Sequence, residues 1–378
     1  MAEVTVRVDS NGAFVAGDTL QCQLIFSNKD TSPQTIAWVG AQIHCQRLVR
    51  ESVLKLKASE QLSSPITETA FFPNRGNDAI GERGSSILST RSTVLLCNVT
   101  INPSETKTVS YTEIIPLGGP PSFHGHIVRY VYKLAVGVQK PNCPAQITRL
   151  PIRVIQIPDH LRRPLLASPQ ISNPFLVSEE CESASELGLE AIALESCKRS
   201  TASFTLTASG ECIGRVVVPR TSYRLGDEVT AIFDCSLSVH PVLQVTASLV
   251  YIETINKECV LPSVTLKPVV TQVAQQTKSC TNSLITHYSL PVPPTLAQSF
   301  SDSTVKLHWE IQFHLLISRG LWTNTHTVQQ SLGPGGGVAE LWSGPSSQNV
   351  DTIDWCLPVT MLPTLYSEDP MPQQTLQL

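Results

Sequence analysis

Apolar and polar residues alternate strictly between residues 305 and 315. Apolar side chains occupy every second position, and Lys306, His308 and Glu310 are among the polar residues between them. A period of two places successive side chains on opposite faces of a strand. The stretch therefore predicts a strand with one buried and one solvent-facing side, as in an antiparallel β-sandwich.

The same alternation occurs 177 residues earlier, between residues 128 and 138. The paired apolar positions are Val128 with Val305, Tyr130 with Leu307, Tyr132 with Trp309, Leu134 with Ile311, Val136 with Phe313, and Val138 with Leu315. A correspondence of this length predicts that the chain contains two copies of one structural unit.

Other landmarks repeat in the same order around these strands. They are Gly17-Asp18 with Gly226-Asp227, Ser122-Phe123 with Ser299-Phe300, and Leu150-Pro151 with Leu357-Pro358. Glycine supplies the positive φ of a tight turn and aspartate closes it with its side chain, so a strand is expected to follow. The inward positions of the strand after this turn would be Leu20, Cys22, Leu24 and Phe26 in the first copy, and Val229, Ala231, Phe233 and Cys235 in the second.

The repeat predicts an all-β fold of two tandem antiparallel β-sandwich lobes without crossover helices. The lobes are expected at residues 1–160 and 203–365, with a Ser/Pro/acidic linker at 161–202 and a flexible tail at 366–378. Immunoglobulin domains belong to the same class, but their Cys-Trp-Cys core spacing is missing from this sequence.

Two insertions and one short helix are expected within this frame. The first copy is longer by about residues 58–90, and the second by about residues 320–349; both are expected to form long surface loops. In the linker, Ser185 is the expected cap of a short helix, with Leu187, Ala191 and Leu194 on one face.

Composition excludes several classes of function. Only 15% of the residues are charged, the net charge is −4 and the pI is near 6.1. The chain therefore lacks the excess of basic residues that is typical of nucleic-acid-binding proteins. The 11 cysteines include no CxxC pair, which argues against a zinc site and for thiols in the reducing cytosol. We expect no signal peptide and no membrane span.

A search for catalytic groups predicts no enzyme, no cofactor, no metal and no small-molecule substrate. His44 and Cys45 are neighbours on an expected strand, so their side chains point to opposite faces and cannot form a catalytic pair. His124 and His126 lack the further ligands of a metal site. The glycine run 335–337 lacks the lysine of a phosphate-binding loop.

Large aromatic residues in the two insertions are the binding candidates that remain. Phe71, Phe72 and Trp322 lie there, away from the predicted strands. Exposed aromatic residues on loops are typical anchors for a protein partner. The alternative, that they fold back onto their own lobe, stays open.

Tandem sandwiches with a Gly-Asp turn in each lobe resemble the arrestin fold, and longer motifs narrow the resemblance. The motifs are Ala37–Gln46, Gly81-Glu82-Arg83-Gly84 with Ile87–Thr90, Gly119–Phe123, Tyr130–Leu134, Tyr223–Gly226, and Val350–Thr352 with Trp355, Leu357 and Pro358. Together they resemble the arrestin-like subunit of the Golgi exchange-factor complex, the reduced-growth-phenotype family of retrograde transport proteins. The resemblance runs from residue 14 to about residue 364. Asn77–Ile80 departs from it as an insertion.

The resemblance implies a non-catalytic scaffold. Such a subunit pairs with a large propeller-containing partner subunit, and the heterodimer promotes nucleotide exchange on a Golgi Rab GTPase in endosome-to-Golgi retrograde transport. The chain would be cytosolic and peripheral at the Golgi membrane, which it would reach only indirectly through its partners. The family motifs add Gly81, Glu82, Arg83, Gly84, Asp351 and Trp355 as interface candidates, although they also suit turn and core residues.

One rival class remains beside the self-sufficient enzyme that the residue search disfavours. Arrestin-type adaptors recruit ubiquitin ligases to cargo and typically carry Pro-Pro-x-Tyr motifs. The two Pro-Pro sites here read Pro120-Pro121-Ser122-Phe123 and Pro293-Pro294-Thr295-Leu296, so the motif is missing. The scaffold interpretation is therefore favoured over the adaptor interpretation.

Overall fold

Two β-sandwich lobes follow each other along the chain, and the all-β, arrestin-like prediction is confirmed. The computed structural model describes residues 2–8, 12–50, 53–54, 82–162, 184–319, 327–332, 338–343, 350–366 and 373–377. Within these ranges no helix is long and apolar enough to cross a membrane.

Ten strands are described between residues 2 and 155, in the N-terminal lobe. They are β1 (Ala2–Val8), β2 (Ala13–Val15), β3 (Thr19–Asn28), β4 (Gln34–Arg50), β5 (Glu82–Ser89), β6 (Thr93–Ile101), β7 (Thr106–Ile114), β8 (Phe123–His124), β9 (Val128–Gln139) and β10 (Gln146–Ile155). The larger sheet has the order β2-β10-β9-β4-β5, with β6 also on β4 and β8 on β9. The smaller sheet contains β1-β3-β7.

The C-terminal lobe repeats this plan after a linker helix, α1 (Ala184–Cys197). Its strands are β11 (Ala202–Ala208), β12 (Glu211–Val218), β13 (Ser222–Arg224), β14 (Glu228–Asp234), β15 (Val242–Ile255), β16 (Val269–Ser279), β17 (Ile285–Pro291), β18 (Phe300–Ser301), β19 (Val305–Ser318), β20 (Thr327–Leu332), β21 (Val338–Ser343) and β22 (Val350–Leu362). The sheets have the orders β11-β12-β14-β17 and β13-β22-β19-β15-β16, with β18 on β19.

The predicted inward positions are buried in both lobes. All twelve alternating positions of β9 and β19 are buried, as are the four of β3 and the four that run along β14 to Cys235, just beyond its end; none is more than 8% exposed. Equivalent strands also pair alike, since β2 runs parallel to β10 and β13 runs parallel to β22. The alternation therefore identified the core of each sandwich.

The Gly-Asp turns have the predicted geometry. Gly17 has a φ of +97° and Gly226 has a φ of +94°, in the region that favours glycine. Asp18 Oδ2 accepts a hydrogen bond from the Val15 amide at 3.3 Å, and Asp227 Oδ2 accepts one from the Arg224 amide at 3.1 Å. Each aspartate thus closes its own turn.

The tail was expected to be flexible, and this expectation is wrong for residues 373–377. These residues form β23 (Gln373–Gln377), which pairs antiparallel with β1 at the edge of the smaller N-terminal sheet. The order there becomes β23-β1-β3-β7, against β11-β12-β14-β17 in the C-terminal lobe. The tail strand therefore takes the place that β11 holds in the second copy. The hydrophobic pattern did not indicate this strand, because main-chain pairing needs no apolar pattern.

The linker helix exists, but the face predicted for it was wrong. It begins at Ala184, so Ser185 lies inside its first turn, and Leu194 is 62% exposed. The buried positions are Gly188, Ile192 and Ser196, four residues apart. A Cβ on Gly188 would lie 1.9 Å from Ile157, so the small side chains allow close approach. Residues 159–162 are also helical.

Both insertions contain strands where loops were expected. Residues 82–89, the end of the first insertion, form β5 and extend the larger sheet along β4. In the second insertion β20 and β21 pair with each other as an antiparallel hairpin. The glycine run 335–337 lies outside the described residues.

Candidate partner-binding surfaces

Four of the predicted interface residues lie outside the described part of the chain. They are Phe71, Phe72, Gly81 and Trp322. Their role as partner anchors stays a prediction.

The predicted loop motif Gly81–Gly84 is largely a strand. Glu82, Arg83 and Gly84 belong to β5 and pair with Arg50, Val49 and Leu48 of β4. Strand β4 spans 17 residues and β6 pairs only with its first half, so its second half offers main-chain groups to β5. The motif is accounted for by sheet pairing.

Asp351 and Trp355 both lie on β22, opposite Ile317 and Phe313 of β19. Asp351 forms an ion pair with Arg319. The Trp355 ring is 5.3 Å from Phe204 and 5.7 Å from Phe313, measured between ring centroids. Trp355 thus packs against the edge of the C-terminal core, which favours its reading as a core residue.

A buried carboxylate joins the two lobes. Glu253 of β15 is fully buried and accepts hydrogen bonds from the amides of His126, Ile127 and Val128, at 2.7, 3.1 and 3.2 Å. These amides belong to the connection between β8 and β9 and to the first residue of β9, in the other lobe. Three donors in one direction compensate for removing the carboxylate from water.

A second contact between the lobes centres on Asp302, in the loop before β19. Its carboxylate accepts hydrogen bonds from the Tyr130 hydroxyl and from the amides of Thr304 and Val305. The Thr304 hydroxyl in turn accepts from Arg47 Nη1 at 2.8 Å. Strands β4 and β9 are thereby held to the loop before β19.

Three further groups reinforce the junction. Arg153 Nη2 donates to the carbonyls of Pro294 and Leu296 at 3.2 and 3.1 Å. Gln298 Nε2 donates to the carbonyl of Gln156 at 2.6 Å. The apolar cluster of the N-terminal lobe also continues into the C-terminal lobe through Ile255, Cys259, Val305 and Leu307.

A cavity of about 890 Å³ lies within this junction. Its walls come from β4 and β5, the connection between β7 and β8, the start of the linker, and the segment Gln298–Ser303 of the second lobe. A cavity of this size is within the range of ligand-binding sites. Sequence reasoning missed it because its two sides, Leu117–Pro121 and Gln298–Ser303, lie far apart along the chain.

His44 and Cys45 both lie buried on β4. Burial, with Lys133 and Arg149 nearby, lowers the pKa of His44 to about 4, and burial raises the pKa of Cys45 to about 12. A thiol with so high a pKa is not a nucleophile at neutral pH. Residues 2–8, 12–50, 53–54 and the later described ranges contain no group of three or more His, Cys, Asp or Glu placed to hold a metal.

Comparisons with known proteins give a consistent result. The model of the Rgp1 family matches residues 56–165 and 166–318, which is more than half of the chain. A human protein named "RAB6A-GEF complex partner protein 2" is 32% identical over 389 residues, covering 96% of this chain and 95% of that protein. A bovine protein of the same name is 31% identical over 383 residues, covering 95% and 93%.

Proposed function

The chain belongs to the Rgp1 family, and on that premise we propose that it is the non-catalytic scaffold subunit of a heterodimeric guanine nucleotide exchange factor for a Golgi Rab GTPase. The observation that carries the proposal is the near full-length similarity to the human and bovine proteins. Their names describe a partner in a RAB6A exchange-factor complex.

The partner in this proposal is the large propeller-containing subunit, and the process is endosome-to-Golgi retrograde vesicle transport. The chain would act in the cytosol and reach the Golgi membrane through its partners. A net charge of −4 supports this route, because it gives the chain little electrostatic attraction to anionic lipid. The joined lobes support a scaffold role, since a fixed pair of sandwiches offers a partner a large preorganised surface.

Release of a fluorescent guanine nucleotide from the Rab tests this proposal. The purified chain, the large subunit alone and the reconstituted heterodimer are compared at equal concentrations. We expect rapid release with the heterodimer and near-intrinsic release with the single chain. A single chain as fast as the heterodimer would contradict the scaffold role, and stable binding of a ubiquitin ligase instead of the large subunit would favour the adaptor class.

A further inference from the structure

Strand β6 lies at the edge of the larger N-terminal sheet without the usual protection of an edge. It pairs with β4 and with no other described strand. Edge strands are commonly protected by charged residues or proline, and the nine residues of β6 include neither. We propose that β6 accepts an extended, uncharged segment of the large partner subunit as an additional strand, an inference that rests on the proposed function.

Other edge strands of the molecule carry polar or charged residues. Strand β5 continues the same edge along the second half of β4 and contains Glu82 and Arg83. Strand β7, at the edge of the smaller N-terminal sheet, contains Lys107 and Glu113. Strand β11 is uncharged, but its exposed positions are all serine or threonine. On β6, in contrast, Val94 is 60% exposed.

The equivalent side of the C-terminal lobe is bridged. By sheet order, β16 takes the place of β6 and β17 takes the place of β7. Gln276 Oε1 accepts a hydrogen bond from the Ser289 amide at 3.1 Å, and Lys278 Nζ donates to the His287 carbonyl. Among the described residues no such bond joins β6 to β7. The first copy therefore leaves open a side that the second copy closes.

A strand added to β6 would cover apolar surface. Leu95 and Leu96 both pack against the core of the lobe but remain partly exposed, because a bulge in the pairing with β4 makes Leu95 an extra residue. Ile114 of β7 is also 60% exposed, and it lies with Val94 at the end of the sandwich far from the turn that connects β6 to β7. The added segment should therefore present apolar side chains here.

Main-chain chemistry and interface size identify the kind of occupant. Lipid chains cannot form hydrogen bonds with the main chain of an open sheet edge. A second copy that paired only through β6 would contribute nine residues per side, against about 20–30 in a stable interface. A protein that also contacts the chain elsewhere meets both conditions, and the large subunit is such a protein. An unpaired charge would be costly to bury against β6, which favours an uncharged segment.

Charges placed on the edge test the occupant. We choose Val94→Lys and Val94→Glu, with Val270→Lys and Val270→Glu as matched controls, because Val270 is 53% exposed on the equivalent strand β16. In a binding titration of full-length chain with the recombinant large subunit, we expect each Val94 variant to weaken the Kd about tenfold or more, and each Val270 variant to change it less than about twofold. Tighter binding by either Val94 variant would overturn the uncharged occupant.

Residue-resolved amide hydrogen exchange locates the added strand. About every second amide of an edge strand points away from its neighbour. We expect these amides of β6 to exchange rapidly in the free chain and about tenfold or more slowly in the heterodimer, with β16 unchanged. Slow exchange already in the free chain would overturn the proposal. In that case, dependence of the rate on protein concentration would identify a second copy as the occupant, and independence would identify a segment of the same chain.

The outcomes distinguish failure of the proposed function from failure of this site. If wild-type chain does not bind the large subunit, the proposed function fails, and the partner segment with it. If wild-type chain binds and V94K binds equally well, with an unchanged urea unfolding midpoint, β6 is not the site. Should V94K lower that midpoint, exchange in the wild-type heterodimer decides, and unchanged exchange of the β6 amides overturns the proposal.

Discussion

The two lobes share one plan but complete their smaller sheets differently. In the C-terminal lobe β11 and β12 form a local hairpin, with Ala208 opposite Glu211. In the N-terminal lobe the same position is filled by β23, and Thr5 meets Thr375 across 370 residues of chain. A repeat thus preserves the architecture of a sheet without preserving the source of its strands.

The lobes also differ in what they contribute to their junction. The C-terminal lobe supplies side-chain acceptors, Glu253 and Asp302, and the N-terminal lobe supplies amides, a hydroxyl and the arginines. The second lobe is therefore positioned on the first by the hydrogen bonds of Glu253 and Asp302, and these bonds have no counterpart inside either lobe. The following predictions test how far the lobes depend on each other.

The largest effect is expected from Glu253→Ala. The substitution leaves three amides of the other lobe, two of them buried, without an acceptor, which we expect to lower the free energy of unfolding by about 3 kcal/mol. Urea unfolding, followed by tryptophan fluorescence and circular dichroism, should change from one transition to two. Glu253→Gln retains the shape and one acceptor and should fall between. One transition with an unchanged midpoint would mean that the carboxylate does not couple the lobes.

Acidification should weaken the N-terminal lobe by a comparable amount. The pKa of His44 is lowered to about 4 in the folded chain, against about 6.5 when unfolded. Between these values the unfolded state binds the extra proton, so stability is complete above pH 6.5 and falls by up to about 3 kcal/mol as the pH drops to 4.

Urea unfolding across this pH range measures the effect. His44→Gln should show a shallower loss of stability, because it removes the titrating ring. Equal slopes for the variant and wild type would assign the acid sensitivity to other groups.

A smaller loss of stability is expected from Thr375→Pro in the tail strand β23. Proline removes an amide from β23 and is tolerated poorly within paired strands, so we expect a loss of about 1–2 kcal/mol, confined to the edge of the N-terminal sheet. Amide hydrogen exchange should become faster in β1 but stay unchanged in β12. Thr375→Val is the matched control. Faster exchange in both strands would show that the sheets are not independent at this level.

The smallest effect on stability is expected at the two Gly-Asp turns. Asp227 accepts a shorter hydrogen bond than Asp18 and lies 3.5 Å from Arg220 and 3.7 Å from Arg224. We expect Asp227→Ala to cost about 1 kcal/mol and Asp18→Ala about half of that, since surface ion pairs add little. Urea midpoints of the two variants measure this. A larger loss for D18A would reverse the ranking of the turns.

Period-two alternation was sufficient to predict the sandwiches, because burial on one face imposes it on β9 and β19. It failed at the tail, whose Gln373–Gln377 segment joins a sheet through its main chain. It also failed on α1, where the buried face uses Gly188 and Ser196 for close approach and leaves Leu194 in solvent. Patterns of large apolar residues do not detect contacts that depend on small ones.

Only part of the junction between the lobes could be predicted from the sequence. Glu253 occupies an inward position of β15, in a series with Val245, Ala247 and Leu249, so a charged residue among core positions was a usable signal. Its partners were not predictable, because main-chain amides carry no sequence signature. Gln298 and the cavity required the three-dimensional arrangement.

The pairing of β1 with β23 has a consequence for biosynthesis. Domains usually fold as they leave the ribosome, with the N-terminal part first. Here the first strand of the chain must wait, with an open edge, until residues 373–377 have been translated. Contacts between parts of a chain that lie this far apart in sequence form slowly. The first lobe therefore reaches its final form last, and a nascent-chain chaperone has its longest opportunity to act at the edge of β1.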